Sequence, residues 1–435
     1  MKNIGLKYQK TTLENGLRVV TEQIPGMRSV SIGFLIEAGS IDDEAEKSGL
    51  AHLTEHMLFQ GTSSRSGRDI ARQMDLGGGL IGGFTTRDYT CYTATVLDDY
   101  YTYILDLFGD LLLNSTFPFE SLSREKEAIL NEIAASYDDP RERLHERLVG
   151  HIWPGKPLGR SITGQPATVK TLNRDDLIYF VHTYYLPDRI IVAAAGNVDH
   201  VDFVAQVRDG FWRMLGDGLP HCSTPRSFNP GVAIEYHPVS QVYFAIGFQG
   251  VTYADPQRYC QYTLNSLLGG GLSSRLYRRV REERGLVYDI GSEIFPYRDD
   301  GLFVVEGSTM PEYLMAVLSI TLNEVRKLAL GEEPIDEEEL WKTKMHLRGR
   351  HMVATESSHT VMSRLATQES YFQRYLSSEE VLAEIDRIDV ATITEFCCSN
   401  LKRSLEHPAI AIVGPEMQHH YNTGSVKELL ENLQN

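Results

Sequence analysis

The chain has 435 residues, a formal net charge of −17, and a composition of 42% hydrophobic and 23% charged residues. This length exceeds one ordinary hydrophobic core, so two or three domains are expected. An acidic chain lacks the basic surface that nucleic acids require, which excludes an electrostatic nucleic-acid partner. The longest apolar runs have the length of β-strands and cannot span a bilayer, so no membrane partner is expected.

The amino-terminal segment and the cysteines bear on the cellular compartment. The segment MKNIGLKYQKTTLENGLRVV at the start of the chain lacks the apolar core of a secretory signal. The five cysteines form no Cys-x-x-Cys pair and are odd in number, which favours a reducing compartment over a disulfide framework. We therefore expect a cytoplasmic protein.

Strand-like and helix-like patterns alternate in chain order. Strand patterns cover residues 18–23, 29–36, 89–96, 242–248 and 302–308. Helical patterns cover residues 48–60, 119–137 and 311–330. Strands that cluster beside long helices favour an α+β fold over a doubly wound parallel sheet.

The two halves of the chain repeat one pattern. In the first half, 162 positions separate Phe34, in the strand VSIGFLIEAGS, from Gly196 at the end of another apolar strand. In the second half, 166 positions separate Phe248, in the similar strand VYFAIGFQG, from Gly414. We predict two homologous α+β domains, each a mostly antiparallel sheet with helices packed on it. They cover residues 1–215 and 232–435, joined by a Gly-, Pro- and Ser-containing linker over residues 216–231.

The segment GLAHLTEHMLFQGT places two histidines and a glutamate on one predicted helix, which Ser48 is expected to cap. His52 and His56 lie one helical turn apart on the same face, within reach of a single ion. Zn²⁺ binds imidazole nitrogens, and in catalytic sites it takes three protein ligands and a water. Glu55 lies next to this pair, where a carboxylate can act as a general base.

A third ligand is required, and the predicted helix over residues 121–140 offers two glutamates. Glu125 and Glu132 lie seven residues apart, so they point in nearly the same direction. Two interpretations stay open from these residues alone. Either a glutamate completes a metal site, or the glutamates are solvated and pair with Arg124 or Lys126. The full His-x-x-Glu-His string favours the metal site, because it is the signature of inverted zinc peptidases.

Together these residues resemble the pitrilysin/insulinase family of zinc metallopeptidases, in particular the short branch with mitochondrial processing peptidase β-type subunits and bacterial relatives. That family carries a ligand glutamate about 75 residues after His-x-x-Glu-His and another glutamate seven residues earlier. Here 75 residues separate His56 from Glu132, and Glu125 occupies the earlier position. The resemblance implies one zinc ion per chain, held by His52, His56 and Glu132. It also implies Glu55 as the catalytic base and Glu125 as support for a ligand.

The resemblance extends to residues that would contact a substrate. In GGGLSSRLYRRVREERGLVYDIGS, Arg281 and Tyr288 keep the seven-residue spacing of the family's paired arginine and tyrosine. This implies that both donate hydrogen bonds to the substrate or to the developing oxyanion. The family commonly has Asn-Ala where this chain has Gly82-Gly83, followed by Phe84. These three residues are expected at the substrate, but the missing asparagine removes a hydrogen-bonding side chain.

The resemblance also implies partners and an activity. Short-branch chains form half of an enclosing chamber, so we expect a homodimer, or alternatively a heterodimer, in which Arg281 and Tyr288 complete the partner's zinc site. The expected activity is zinc-dependent endopeptidase hydrolysis of unfolded peptides or presequence-like segments inside that dimeric chamber. The peptide would add as a strand to a sheet edge. The alternative is a non-catalytic peptide-binding or scaffold subunit of a related peptidase complex, which the departure at Gly82 favours.

Overall fold

The computed structural model describes residues 7–216, 226–417 and 419–434, so residues 217–225 of the predicted linker lie outside the described residues. Two compact units are present. Unit 1 has the bounds Met1–Ala134, Arg160–Cys222 and Met352–Leu376, and unit 2 has the bounds Ala135–Gly159, Ser223–His351 and Ser377–Asn435. Within the described ranges, no α-helix combines the length and the apolar character needed to cross a membrane.

The elements of the described residues are as follows. The strands are β1 (Lys7–Thr12), β2 (Arg18–Gln23), β3 (Ser29–Ile36), β4 (Leu80–Thr85), β5 (Thr90–Leu97), β6 (Ile190–Gly196), β7 (Gly231–Tyr236), β8 (Val242–Gln249), β9 (Val287–Pro296), β10 (Gly301–Thr309) and β11 (Ala409–Gly414). The helices are α1 (Leu50–Leu58), α2 (Gly67–Leu76), α3 (Tyr101–Asn114), α4 (Phe119–Asp138), α5 (Pro140–Ile152), α6 (Pro166–Thr171), α7 (Arg174–Tyr184), α8 (His200–Phe211), α9 (Arg258–Leu268), α10 (Leu314–Leu330), α11 (Glu337–Ala354), α12 (Ser358–Phe372), α13 (Ser378–Arg387), α14 (Val390–Glu406) and α15 (Thr423–Gln434). A π-helical segment covers Tyr277–Glu282.

Five strands of each sheet share one topology, and the sheet of unit 1 has the additional edge strand β1. The strand order is β1-β2-β6-β3-β5-β4 in unit 1 and β7-β11-β8-β10-β9 in unit 2. Each sheet contains one parallel pair, β2 with β6 and β7 with β11, and its other pairs are antiparallel. The predicted α+β class, with two similar and mostly antiparallel sheets that carry helices, is confirmed.

Strand β6 is apolar throughout because both of its faces are covered. Its alternate side chains point to opposite faces of the sheet. Ile190, Val192 and Ala194 join the core that includes residues of α1, α3, α7 and α8. Ile191 and Ala193 join a second cluster on the other face, where α12 packs. A strand buried on both faces is expected to be an uninterrupted apolar run, as IIVAAAG is.

In each unit a helix crosses the sheet at the glycine of an Ile-Gly-Phe triplet. In unit 1 a Cβ atom on Gly33 of β3 would lie 2.3 Å from Sδ of Met362 in α12. In unit 2 a Cβ atom on Gly247 of β8 would lie 2.9 Å from Cδ1 of Ile152 and 3.3 Å from Cδ1 of Leu148, both in α5. Because glycine has no Cβ atom, these helix side chains lie directly against the strand backbone. The repeated triplet therefore marks equivalent packing positions.

Buried charged groups attach α12 to the sheet of unit 1. The Glu22 side chain in β2 is 1% exposed, and its Oε2 lies 3.2 Å from Nη2 of Arg364 in α12. Glu369, also in α12, is equally buried and forms an ion pair with Lys10, whose Nζ lies 2.7 Å from Oε1 of the carboxylate. A buried carboxylate needs such cations, because an uncompensated charge in the interior is strongly destabilising.

We expect Arg364→Ala to reduce the free energy of unfolding by about 3 kcal/mol, because the buried Glu22 carboxylate loses a counter-charge. Urea denaturation followed by circular dichroism measures this change. The matched control is Arg28→Ala, which removes an arginine whose side chain is 73% exposed and pairs with Asp98. Solvent screens that pair, so the control should scarcely move the midpoint. Equal midpoints for the two variants would contradict the assignment.

Candidate metal centre

Helix α1 begins after a glycine in the left-handed conformation, and its capping side chain comes from a residue several positions earlier in the sequence. Gly49 has φ +95° and supplies no side-chain cap. Instead the Asp43 carboxylate accepts the backbone N–H of Gly49 at 2.8 Å and of Ala51 at 2.9 Å. Arg160 fixes the loop by donating to the backbone carbonyl of Asp43 at 2.6 Å. The prediction that Ser48 caps the helix is wrong, because the chain turns at Gly49 and presents Asp43 to the free amides.

The helix is embedded in the core of unit 1. Every residue of α1 except His56 is buried, and Leu53 and Met57 are fully enclosed by apolar neighbours. A helix packed on nearly all sides cannot rotate without opening cavities. Side chains that project from α1 are therefore held in fixed directions.

Two histidines of α1 and a glutamate of α4 come together at this helix. Nε2 of His52 lies 3.7 Å from Oε2 of Glu132, and Nε2 of His56 lies 4.0 Å from the same oxygen. One ligand atom from each of the three residues lies within 4.8 Å of the others. Two ligands bound at about 2.1 Å to a tetrahedral ion are about 3.4 Å apart, so a small contraction suffices. Two imidazoles and a carboxylate are a donor set that suits Zn²⁺.

His52 is in the neutral state that a metal ligand requires, and the His56 ring is oriented by a carboxylate. Burial, with a smaller effect of His56, lowers the pKa of His52 to about 4, so the ring is neutral at physiological pH. Nδ1 of His56 lies 3.2 Å from Oε2 of Glu125, which directs Nε2 of that ring toward Glu132. A carboxylate behind a ligating histidine is a common feature of zinc sites. Nδ1 of His52 is buried and has no hydrogen-bond partner in the described part of the chain.

Glu55 lies between α1 and strand β4. Burial raises its pKa above the ordinary value, although the nearby His56 and a hydrogen bond oppose the shift. That hydrogen bond comes from the Thr85 hydroxyl to Oε2 at 3.4 Å. A Cβ atom on Gly83 would lie 2.7 Å from Oε1 of Glu55, so the carboxylate rests against bare backbone. Sequence reasoning missed Thr85, for which no spacing rule gave a signal.

The predicted substrate residues Gly82, Gly83 and Phe84 lie on β4, which is an edge strand of the unit 1 sheet. Gly83 faces Glu55, whereas a Cβ atom on Gly82 would meet nothing within 4 Å. Phe84 is partly exposed and makes an edge-to-face contact with Tyr89. The structure thus brings the edge of the sheet to the candidate general base.

Arg281 and Tyr288 are neighbours within unit 2. The Arg281 guanidinium carbon lies 5.2 Å from the centre of the Tyr288 ring and 5.0 Å from that of Tyr277. Arg281 belongs to the π-helical segment, and Tyr288 is 74% exposed on the edge strand β9. The two residues of the predicted pair are therefore in contact, and the Tyr288 side chain is exposed to solvent.

Comparison with known families agrees with this arrangement. Residues 18–166 match the family model described as Insulinase (Peptidase family M16), and residues 171–347 match the Peptidase M16 inactive domain. The chain belongs to the insulinase family of peptidases, family M16.

Its relatives cover nearly its whole length. The chain is 32% identical over 409 residues to an uncharacterized zinc protease of Bacillus subtilis, covering 94% of this chain and 98% of that one. It is 34% identical over 411 residues to an uncharacterized zinc protease of Mycobacterium leprae, covering 93% and 91%.

Solved structures share the fold. The chain superposes on a peptidase M16 inactive domain from Pseudomonas fluorescens with a TM-score of 0.87 and 21% identity, over 95% of this chain and 98% of that one. It superposes on a protease from Helicobacter pylori with a TM-score of 0.85 and 20% identity, over 94% and 100%.

The cap of α1 predicts a pH dependence of stability. Burial raises the pKa of Asp43 to about 7 from the ordinary 3.8, against the opposing effects of its two amide donors and Arg160. Between these two pH values the native carboxyl keeps a proton that the unfolded chain has lost. The stability that Asp43 contributes therefore falls as the pH rises through this window.

We expect the difference in unfolding free energy between wild type and Asp43→Ala to be largest near pH 4 and to shrink toward pH 7. Urea titrations of both proteins at constant ionic strength, with a chelator present to remove metal effects, measure it. A difference that is constant with pH would show that Asp43 titrates as it does in the unfolded chain.

Proposed function

We propose that this chain is a zinc-dependent endopeptidase that hydrolyses unfolded peptides or presequence-like segments. The observation that carries the proposal is the convergence of His52, His56 and Glu132, whose ligand atoms lie within 4.8 Å of one another. Family membership and relatives named as zinc proteases support it.

Each residue of the centre has a separate task in this proposal. His52, His56 and Glu132 hold the ion, and Glu125 orients the His56 ring through Nδ1. Bound zinc supplies Lewis acidity to the scissile carbonyl and lowers the pKa of water. The Glu55 carboxylate accepts a proton from the attacking water and returns it to the leaving amine. Burial raises the pKa of Glu55 in the direction that favours this role, because a general base works best with a pKa near the working pH.

The substrate class follows from the edge strand. A peptide that adds to β4 must be extended, since only an extended backbone can match the unpaired N–H and C=O groups of the strand. Gly82 lacks the asparagine side chain common in the family, so the backbone of β4 carries most of this recognition. Folded proteins would be poor substrates.

The proposed assembly is a homodimer, with a heterodimer as the alternative. The family resemblance implies that Arg281 and Tyr288 of one chain complete the zinc site of the other. Both can donate hydrogen bonds to the oxyanion that forms during hydrolysis. Exposure of Tyr288 on the edge strand β9 is compatible with such a role.

A second candidate function is a non-catalytic peptide-binding or scaffold subunit. The observation that favours it is Gly82, which removes a side chain that helps to hold substrate in the family. A chain of this kind would bind peptides and zinc without cleaving them. The base and the candidate ligands are present, so we place the peptidase first.

Glu55→Gln should keep zinc and lose about 100- to 10,000-fold in kcat, because only the proton acceptor is removed. Glu132→Gln should lose both zinc and activity. Zinc content by mass spectrometry and cleavage of a fluorogenic peptide mixture measure these effects. Glu127→Gln is the matched control, since Glu127 is exposed on the same helix and should keep both properties. A zinc-loaded wild type that cleaves no unfolded peptide would instead favour the scaffold function.

Mixing His52→Ala chains with Arg281→Ala chains tests sharing between subunits. Random pairing makes half of the dimers mixed, each with one complete site of two, so about a quarter of wild-type activity should return. A mixture of His52→Ala and Glu132→Gln should stay inactive, because each chain then lacks a metal ligand of its own site and neither site of a mixed dimer is complete. Absence of recovery in dimers shown to be mixed would refute shared sites.

A further inference from the structure

A cavity of about 620 Å³ lies on the face of the unit 1 sheet that is opposite to Glu55. Strand residues Leu80, Gly82, Thr93 and Thr95 line one side, and residues 356–359 at the start of α12 line the other. Met27 and Ile81 add apolar surface. The surface of this open cavity is more apolar than polar, and its hydroxyl groups come from Thr93 and Thr95 on the strand wall and from Ser29, Ser357 and Ser358.

The absence of a side chain at Gly82 opens this cavity toward the edge strand. A Cβ atom on Gly82 would meet nothing within 4 Å, whereas one on the next residue, Gly83, would lie 2.7 Å from Glu55. Adjacent residues of a strand face opposite sides of a sheet. The two glycines thus separate two environments, the candidate metal centre on the side of Gly83 and the cavity on the side of Gly82.

We propose that this cavity is a specificity pocket that receives one large apolar side chain, preferably aromatic, of the bound peptide. This inference rests on the proposed addition of the peptide to β4. A strand added at this edge would place alternate side chains on alternate faces. Side chains next to those at the metal centre would then point toward the cavity. Strand addition gives affinity through the backbone, and such pockets give specificity.

The lining determines the preferred chemistry. Leu80 on the edge strand is 84% exposed and offers apolar surface. Thr93 and Thr95 line the cavity from the neighbouring strand β5. The volume exceeds what a small side chain can fill, so Ala or Ser would leave it largely hydrated. The titratable residues on the wall are Glu356 and His359, and both are themselves exposed. An aromatic side chain would gain most from burial here.

The pocket also gives the glycine at position 82 a role. A larger residue there would enter the cavity, because the described residues leave that space open. Gly82 has no left-handed backbone angle, so a side chain can be introduced without strain. With glycine at position 82 the chain lacks the side-chain amide that binds substrate in the family, and the space beside the strand can receive a substrate side chain.

Peptide affinity in the zinc-loaded Glu55→Gln protein tests the pocket without requiring cleavage. The probes are fluorescein-labelled 12-residue peptides of Ser and Ala with no insertion, one Phe or one Lys. Phe should tighten binding about tenfold, in line with partial burial of its ring, and Lys should not. Adding Gly82→Leu should abolish the gain from Phe. Thr93→Leu fills the cavity from the neighbouring strand and should act in the same way.

Gly83→Ala is the control on the other face of the strand. In the otherwise wild-type enzyme it should displace Glu55 and slow cleavage of all peptides by a similar factor, leaving the Phe preference intact. A Phe gain that survives both filling substitutions, or an equal gain with Lys, would overturn the pocket. If Phe peptides bind selectively but the wild type cleaves none of them, the pocket stands and the peptidase proposal fails.

Discussion

Burial of α1 is the constraint on which the site depends. The helix carries both imidazoles and Glu55, and its apolar residues hold it in the core of unit 1. Burial also keeps His52 neutral and raises the pKa of Glu55. One packing arrangement thus fixes the positions of the metal ligand and the base and shifts the pKa of both. The same helix therefore contributes apolar residues to the core and carries the residues of the candidate metal centre.

Much of this arrangement could be predicted from the sequence. The periodicity located β2 and β3 with their observed bounds. The residues alone left the third ligand open, and it was the family resemblance that implied the approach of Glu132 to His56. The cap by Asp43 could not be predicted, because it depends on a loop conformation. The sequence also could not predict which sheets α5 and α12 pack on. The pattern of an amphipathic helix shows which of its faces is buried but does not identify the element that covers this face.

Strand β4 connects recognition with chemistry. No strand among the described residues pairs with its outer edge, and its two glycines present no side chain to either face. On one face the backbone supports Glu55, and on the other it borders an open cavity. The departure from Asn-Ala, which seemed from the sequence to be only a loss, therefore has two different structural effects at adjacent residues. Each can be altered separately by substitution.

The Ile-Gly-Phe triplets have a consequence for how the molecule is made. Gly33 seats a helix that begins more than 300 residues later in the chain, at Ser358. Until the ribosome has produced that helix, the apolar outer face of the first sheet has no native cover. The nascent amino-terminal half should therefore be vulnerable to aggregation or chaperone capture. The order is reversed at Gly247, because helix α5, which covers this glycine, is synthesised before the strand that contains it.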